Sequence, residues 1–425
     1  MDEQLDVALV ARERLNTARA AHLGIAPRPM CVLQVVPALE TGGVERTTVD
    51  IAAALVAAGE RALVASAGGR MVAELSAVGG EHITLPTQSK NVFRMRANAA
   101  ALADFMEREG VDIIHARSRA PAWSALWAAA WTGRQMVTTY HGAYSETTAF
   151  KNRYNSVMAR GDVVIANSAY TAALIAGRHP FAKDRIVTIA RGTDLSRFGT
   201  PAAPRGPSMR ERWDVTETVP VILHMARLTT WKGQAVVLDA LAKLQPMFPR
   251  DWVCVFAGDD QGRHGYTEAL QAQAGSLGLS DHVRFAGHVS DMPAAFLAAD
   301  VAIVASTEPE AFGRTAAEAQ AVGTPVIATA IGAPRETVLA PPSTPEHAAT
   351  GRLVAPGDPD ALAGAIAALL ALDPNARAAM AARARTHVET RYSVHQLQDA
   401  TLRVYDELLN TEMATMFRSQ SVDNL

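Results

Sequence analysis

Glu310 and Glu318 lie in one stretch between two short apolar runs that read as strands. The pattern predicts a strand, a turn carrying Glu310, a helix carrying Glu318 and a second strand. A helix that begins near Gly313 leaves free N–H groups at Gly313, Arg314 and Thr315, and such groups bind phosphate oxygens. Carboxylates accept hydrogen bonds from hydroxyls. The stretch therefore suits a ligand that carries both hydroxyls and phosphates, as a sugar nucleotide does.

Two cations are expected to join this stretch. Arg227 and Lys232 follow an apolar run that begins near residue 220, which places them between a strand and the next helix. A solvated Arg or Lys would be the ordinary interpretation of either residue alone. Their position in the half of the chain that carries Glu310 and Glu318 favours binding of one diphosphate by both cations.

A glycine pair follows the first predicted strand. Gly42 and Gly43 precede an apolar-periodic helix that carries Glu45 in its first turn. Glycines at this point let backbone N–H groups approach a phosphate or a sugar closely. A tight turn is an equally good interpretation, because the sequence here matches neither GxGxxG nor a P-loop.

Polar side chains also stand at the ends of two further predicted strands. His115, Arg117 and Arg119 follow the apolar run at residues 112–114, and His141 follows the run that ends at residue 140. Residues at the carboxyl end of a strand are more often functional than structural. We expect a functional role for His141, whereas the functional and structural interpretations of His115 both stay open.

The scaffold for these residues is an α/β fold. Short β-branched runs alternate with alanine-rich helical stretches, which predicts parallel sheets with helices on both faces. The alternation lapses at residues 194–213 and then resumes, so we expect two Rossmann-like doubly wound domains facing each other across a cleft, followed by a C-terminal helical segment. Strands are predicted near residues 31–36, 62–66, 82–86, 112–116, 136–140, 162–166, 185–190, 220–226, 252–257, 283–286, 301–305, 325–329 and 352–354. The predicted divisions are an N-terminal helical extension at 1–27, a first domain at 28–200, a second at 201–388, and a C-terminal helix and tail at 389–425, frayed after Asn410.

Composition excludes several classes of protein. The 425 residues carry a net charge of −3 with 20% charged residues, which is typical neither of a polyanion-binding nor of a disordered protein. Both cysteines, Cys31 and Cys254, lie in predicted strands and should be buried free thiols. No metal-ligand motif occurs, so we expect neither a metal nor a cofactor. An acidic start and the lack of an apolar run of ~20 residues predict a cytoplasmic location.

One basic cluster bears on that location. Lys90, Arg94 and Arg96 are interleaved with apolar residues at the start of a predicted helix. The cluster could rest on the anionic surface of a membrane, while a charged face on a soluble helix is the commoner origin of such a pattern.

Residues 310–318, EAFGRTAAE, resemble the EX7E signature of family-4-type retaining glycosyltransferases of the GT-B fold. The flanks fit as well, with Ala299-Asp300-Val before the signature and Gly323-Thr-Pro-Val-Ile-Ala after it. The resemblance covers about residues 30 to 409. It implies transfer of a hexosyl group from a nucleoside-diphosphate sugar to a hydroxyl acceptor, in bacterial cell-envelope glycan or lipopolysaccharide-like synthesis.

The resemblance also implies a role for individual residues. Glu318 would bind the ribose hydroxyls and Glu310 the transferred sugar. Arg227 and Lys232 would neutralise the leaving diphosphate, and His141 would lie beside the reacting carbon of the donor. The other implied donor contacts are Gly42, Gly43, Gly313, Arg314, Thr315, His288 and Val289, and the implied acceptor contacts are Glu45, His115, Arg117 and Arg119. The sequence departs from the family at Ala333, where a second glycine often stands, and at Arg314, where an apolar residue is usual.

Three alternatives remain at this stage. A sugar-nucleotide epimerase could use the same two-domain fold, although the flanks of the signature argue against it. A non-catalytic nucleotide-sugar-binding protein would have a broken site, whereas all the expected residues are present. A Rossmann dehydrogenase is weaker, because the sequence has no clear GxGxxG with a ribose-binding acid downstream.

Overall fold

The structure, a computed structural model, describes residues 28–40, 42–144, 148–199 and 206–422. The chain divides into two compact units. Unit 1 comprises the described residues up to Asn167, Thr171–Ile189, and His395 onward, and unit 2 comprises Ser168–Tyr170 and Ala190–Val394. The predicted extension at residues 1–27 and residues 200–205 of the predicted linker lie outside the described ranges.

Unit 1 is built on a seven-stranded sheet in which every pairing is parallel. Its strands are β1 (Cys31–Val35), β2 (Arg61–Ser66), β3 (Glu81–Thr84), β4 (Ile113–Ala116), β5 (Gln135–Tyr140), β6 (Val163–Ala166) and β7 (Ile186–Thr188). Their spatial order is β3-β2-β1-β4-β5-β6-β7. The order reverses between β1 and β4, and ligands bind such sheets at the carboxyl ends of the strands beside this reversal.

Unit 2 contains a second parallel sheet, of six strands. These are β8 (Val221–Met225), β9 (Val253–Ala257), β10 (Val283–Gly287), β11 (Val301–Val304), β12 (Val326–Thr329) and β13 (Gly351–Val354). Their order is β10-β9-β8-β11-β12-β13, so the reversal lies between β8 and β11. All thirteen strands lie where the sequence predicted strands, and the two-sheet α/β fold is confirmed.

Helices connect the strands and cover both faces of each sheet. The first nine are α1 (Gly43–Ala57), α2 (Val72–Ala77), α3 (Val92–Glu109), α4 (Arg119–Thr132), α5 (Ala149–Asn155), α6 (Ala169–Arg178), α7 (Leu195–Phe198), α8 (Gly206–Arg212) and α9 (Gln234–Met247). The others are α10 (His264–Ser276), α11 (Met292–Ala298), α12 (Arg314–Val322), α13 (Pro334–Thr337), α14 (Pro359–Leu370), α15 (Pro374–Tyr392), α16 (Val394–Leu409) and α17 (Met413–Val422). Short 3-10 helices span Ser156–Ala159, Pro180–Arg185, Thr230–Lys232 and Glu346–Ala348.

Each sheet has a hydrophobic core on both faces. In unit 1, α3 and α4 pack on one face, while α1, α16 and α17 pack on the other. In unit 2, α11 and α12 pack on one face and α9, α10 and α14 on the other. Strands buried on both faces read as continuous apolar runs, as β11 does. Cys31 and Cys254 are free and buried, as expected.

The C-terminal helices return to unit 1. Leu402 and Tyr405 of α16 are fully buried in the core beside α1, and Phe417 of α17 joins them. The observed divisions therefore fall after Ile189 and Val394, where the sequence analysis had placed them after residues 200 and 388.

The expectation of a frayed tail after Asn410 is wrong for the described residues, because α17 follows. Asp406 fixes its start: Oδ1 accepts from the N–H of Met413 at 2.6 Å and Oδ2 accepts from the N–H of Ala414 at 3.0 Å. Asp406 lies seven residues before the first residue of α17, so the sequence has no capping residue next to the helix that would have predicted its start.

Candidate functional site: the predicted donor residues in unit 2

Lys232 and Glu310, predicted for different parts of a donor, contact each other. The Lys232 ammonium forms an ion pair with Glu310 Oε1, and the Ser306 hydroxyl donates to the same oxygen at 2.6 Å. Only 14% of the Lys232 side chain and 13% of the Glu310 side chain are exposed. Lys232 Nζ also lies 4.1 Å from the centroid of the Trp231 ring. A partly buried ammonium and carboxylate thus stand side by side.

The turn that carries Lys232 is pressed against the end of β11. Gly233 has φ +77°, and a Cβ there would lie 2.0 Å from the carbonyl oxygen of Ala305. Only glycine permits this approach. Because Ala305 precedes Ser306, the approach brings Lys232 to the loop that holds Glu310.

Beneath this turn lies His224 of β8. Its Nε2 pairs with the Lys232 carbonyl at 3.0 Å, and within the described ranges its Nδ1 has no hydrogen-bond partner. Burial lowers the pKa of His224 to about 4, with the nearby Lys232 charge acting in the same direction. The imidazole is therefore neutral near pH 7, and its N–H supports the lysine's backbone.

The Glu310 turn is tied to a second loop. Glu310 and Gly332 form an isolated parallel bridge, and Ala333 N–H donates to the Glu310 carbonyl at 2.9 Å. Gly332 has φ +75°, and a Cβ there would lie 2.4 Å from the Glu310 carbonyl oxygen. Backbone contacts, rather than the Glu310 side chain, therefore set the position of this turn.

Glu318 lies in α12, which begins at Arg314 after Gly313 in the left-handed conformation. Within the described ranges no side chain caps this helix, so the N–H groups of Arg314 and Thr315 remain available to an anion. The Glu318 side chain is 6% exposed, and its Oε1 accepts hydrogen bonds from Arg314 Nε at 3.2 Å and Nη2 at 2.8 Å. The Thr315 hydroxyl donates to the Met225 carbonyl at the end of β8.

Other residues predicted for the donor lie at the ends of neighbouring strands without joining this cluster. Arg227 follows β8 and is exposed; its carbonyl, not its guanidinium, bonds Gln234 at 2.9 Å. His288 is exposed just beyond β10, and Val289 is half-buried against the core of unit 2. The structure thus brings Lys232 and Glu310 into contact, while among the described residues no hydrogen bond or ion pair joins the Arg227 guanidinium to either of them.

Candidate functional site: the predicted acceptor residues in unit 1

Gly42 and Gly43 lie where α1 begins. Gly42 has no side chain to accept from the first turn, so the N–H donors there are available to an anion. Glu45 is half-buried in that turn. This arrangement agrees with the predicted position between strand and helix.

His115 and Arg117, both predicted to contact the acceptor, are buried. His115 is fully buried in β4, where Nδ1 pairs with the Tyr405 hydroxyl at 2.6 Å and Nε2 with the Thr139 hydroxyl at 2.7 Å. Arg117 is 2% exposed, and its Nε donates to Gln34 at 2.6 Å. Both ring nitrogens of His115 are thus engaged, whereas Arg117 Nη2 is buried and has no hydrogen-bond partner within the described ranges. Burial lowers the pKa of His115 well below its ordinary value and that of Arg117 to about 10.

Arg119 and His141 are more accessible. Arg119, the first residue of α4, donates to Asn155 Oδ1 at 2.9 Å and stacks on the Tyr144 ring at 4.4 Å. His141 is half-buried immediately after β5, as predicted, and its charge contributes to the lowered pKa of His115.

Four residues of these clusters escaped the sequence analysis. Ser306 stood immediately after a predicted strand, a position that could have drawn attention to it. His224 and Gln34 lie inside apolar runs, and Tyr405 is 290 residues from its partner His115, so spacing gave no signal for them. Within the part of the chain that is described, no three His, Cys, Asp or Glu side chains converge as a metal site would require.

Comparison with known proteins identifies the family. Residues 41–197 match the model of Glycosyltransferase Family 4, and residues 207–387 match that of Glycosyl transferases group 1. A D-inositol 3-phosphate glycosyltransferase of Corynebacterium urealyticum is 30% identical over 345 residues, which are 76% of this chain and 77% of the relative. The chain spans only 52% to 59% of the length of several further curated relatives of the same description.

Solved structures agree. A glycosyltransferase from Rickettsia africae is 35% identical, with a TM-score of 0.81 over 91% of this chain and 100% of that chain. Anabaena Alr3699/HepE in complex with UDP and glucose is 25% identical, with a TM-score of 0.74 over 89% of this chain and 100% of that one. The family expected from residues 310–318 is confirmed: this chain belongs to the group 1, family 4 glycosyltransferases.

Proposed function

We propose that the chain is a retaining glycosyltransferase that moves a hexosyl group from a nucleoside-diphosphate sugar to a hydroxyl acceptor of the bacterial cell envelope. The observation that carries the proposal is the cluster of Lys232, Glu310 and Ser306 just before the uncapped start of α12. It combines a cation and free N–H groups for phosphate with carboxylates for hydroxyls. The HepE complex with UDP and glucose supports a nucleotide-sugar donor.

The chemistry follows from charge. Cleaving the bond between sugar and phosphate develops positive charge on the sugar ring and negative charge on the departing diphosphate. Lys232, Arg227 and the N–H groups of α12 would stabilise that negative charge. The acceptor hydroxyl would attack from the face that the diphosphate leaves, and its proton would pass to the departing phosphate. We propose that this step needs no metal and no cofactor, which turnover in the presence of EDTA would test.

Donor binding would change the Lys232–Glu310 pair. The ammonium would turn toward the diphosphate, while Ser306 would hold Glu310 in place as the sugar hydroxyls replace the ammonium. In this proposal His141 lies beside the reacting carbon of the donor, and Gly43, Glu45 and Arg119 contact the diphosphate or the acceptor.

The first experiment is a thermal-shift panel of UDP, GDP, ADP and their sugars, because a ligand that binds the folded state raises its melting temperature. The nucleotide sugar found in this way then serves in a transfer assay. Lys232→Ala and Glu318→Ala should abolish transfer while the far-UV circular dichroism stays unchanged. Lys243→Ala is the matched control, since this lysine forms an exposed ion pair with Asp360 in the same unit. Wild-type turnover in both site variants would refute the proposal.

Peripheral docking on an anionic membrane is a second proposal, supported by the start of α3. Phe93 is 85% exposed and Val92 57% exposed, and they are flanked by the exposed cations Lys90 and Arg94. Arg96, the third cation of the cluster, lies 5.4 Å over the Trp127 ring and is therefore partly committed to packing. None of the described helices is both long enough and apolar enough to span a bilayer.

Flotation tests the docking proposal. Vesicles of phosphatidylglycerol and phosphatidylcholine should recover the protein at low salt, and Phe93→Ser with Arg94→Ser should remove most of that recovery. Phe181→Ser is the control, because Phe181 is also exposed, at 54%, and also lies beside arginines in unit 1. No recovery of the wild-type protein would end this proposal.

A further inference from the structure

Arg314 lies four residues before Glu318 at the start of α12, and its guanidinium binds the Glu318 carboxylate. Both Nε and Nη2 donate to one oxygen of Glu318, Oε1. The two side chains differ in exposure, with 45% of Arg314 and 6% of Glu318 accessible. An exposed guanidinium thus covers a nearly buried carboxylate.

Helix stability does not explain this pair. Arg314 occupies the first turn of α12, where the helix dipole disfavours a cation. An arginine four residues before a glutamate is also the weaker of the two orientations of such a pair. The burial of Glu318 is a better explanation, because a buried carboxylate requires a charged or hydrogen-bonding partner. Among the described residues, Arg314 is the only one that bonds the Glu318 carboxylate.

The pairing is also one-sided. Both hydrogen bonds end on Oε1, and no donor in the described part of the chain bonds Oε2. Fixing one oxygen orients the carboxylate plane and leaves the second oxygen as an open acceptor. A ribose diol presents hydroxyl donors of the kind that such an oxygen accepts.

We propose that Arg314 is a positioning residue that fixes the Glu318 carboxylate for recognition of the ribose hydroxyls of a nucleoside diphosphate. The inference rests on the proposed function, since it assumes that a nucleotide occupies this site. The Arg314 side chain acts through Glu318 and does not itself bind the phosphates. Its removal should therefore weaken discrimination between ribose and deoxyribose more than it weakens binding of the diphosphate.

The test measures dissociation constants by calorimetry for whichever of UDP, GDP and ADP stabilises the protein best, and for the 2′-deoxy form of the same nucleotide. The wild-type chain should prefer the ribonucleotide about tenfold or more, because a hydrogen bond to a charged acceptor is lost in the deoxy form. Arg314→Leu should reduce that ratio toward the value of Glu318→Gln. The ratio of Arg314→Lys should lie between those of the wild type and Arg314→Leu. The double variant that combines Arg314→Leu with Glu318→Gln should have the same ratio as Glu318→Gln alone. Arg250→Leu is the control, an exposed arginine of the same unit.

The outcomes separate the possibilities. A wild-type ratio in Arg314→Leu overturns the inference and leaves the proposed function standing. An equal loss of affinity for the ribo and deoxy forms also overturns it, because it would assign Arg314 to the phosphates. If none of the three nucleotides binds the wild-type chain, the proposed donor site itself fails and takes this inference with it. Melting temperatures of all variants show whether each one is folded.

Discussion

Protonation of His224 should weaken unit 2 in acid. His224 lies in the centre of β8 with 1% of its surface exposed, and burial lowers its pKa to about 4 from an ordinary value of 6.5. Between these two values the unfolded chain binds more protons at this residue than the folded chain does. The stabilising contribution is therefore complete above about pH 6.5 and is lost as the pH falls toward 4.

The size of the effect follows from the two pKa values. At pH 5, linkage gives a loss of about 2 kcal/mol in the free energy of unfolding relative to pH 7.5. That is a large fraction of the ~5–15 kcal/mol that stabilises a typical domain. His115 has a lowered pKa as well, so unit 1 should lose stability in the same direction.

The assay isolates His224 by comparing variants. His224→Gln keeps an N–H that can donate to the Lys232 carbonyl and removes the titrating ring. Protein would be equilibrated in urea at pH 7.5 or 5, then pulse-labelled with deuterium at one fixed pH, and the β8 and β9 peptides followed by mass spectrometry. Because the peptides report on unit 2 alone, the measurement does not assume that both units unfold in one transition.

Between the two pH values, the wild-type chain should lose about 2 kcal/mol more than His224→Gln. The exposed His347 supplies a control, and His347→Gln should behave as the wild type does. Equal losses in the wild type and in His224→Gln would refute the argument, because the imidazole would then titrate normally in the folded chain.

Three further changes test other contacts. Ser306→Ala removes the hydroxyl that holds Glu310, so kcat should fall about tenfold with little change in nucleotide affinity, and steady-state kinetics would contradict this if only KM rose. Tyr405→Phe leaves His115 Nδ1 buried without its partner and should destabilise unit 1 by about 1–3 kcal/mol in urea, an effect that should be absent from peptides of unit 2. Gly332→Ala forces a Cβ against the Glu310 carbonyl and should lower the melting temperature and weaken donor binding together; a stable variant with normal binding would show that the loop can move.

The sequence was sufficient to predict the strands. All thirteen predicted runs became strands. Parallel strands at the centre of a sheet are buried on both faces and are largely apolar, as β11 is, whereas the edge strand β3 is more exposed. The positions of Glu310, Lys232 and Glu318 followed from the same alternation, since each lies just after a strand or in the first turns of a helix. Local pattern determined both results.

What the sequence could not predict depends on contacts between distant residues. From the sequence, Lys232 was predicted to contact a diphosphate and Glu310 a sugar. Their contact with each other depends on the close approach of Gly233 to Ala305, which the sequence does not show. His115 read equally well as functional or structural, because the residue that decided it, Tyr405, belongs to a helix near the other end of the chain. Side-chain pairs of this kind depend on tertiary packing, and they produce no periodic pattern in the sequence from which they could be predicted.

The return of α16 to unit 1 also constrains how the protein is made. Unit 1 lacks part of its core until Tyr405 has been synthesised, and about 200 residues of unit 2 come first. At ~5–20 residues per second, translation of that insertion takes ~10–40 s. During that time the α1 face of the first sheet lacks α16 and α17, and His115 lacks its tyrosine partner. Nascent unit 1 therefore keeps part of its apolar core uncovered during that time, and unit 2 is the part of this chain that can finish folding first.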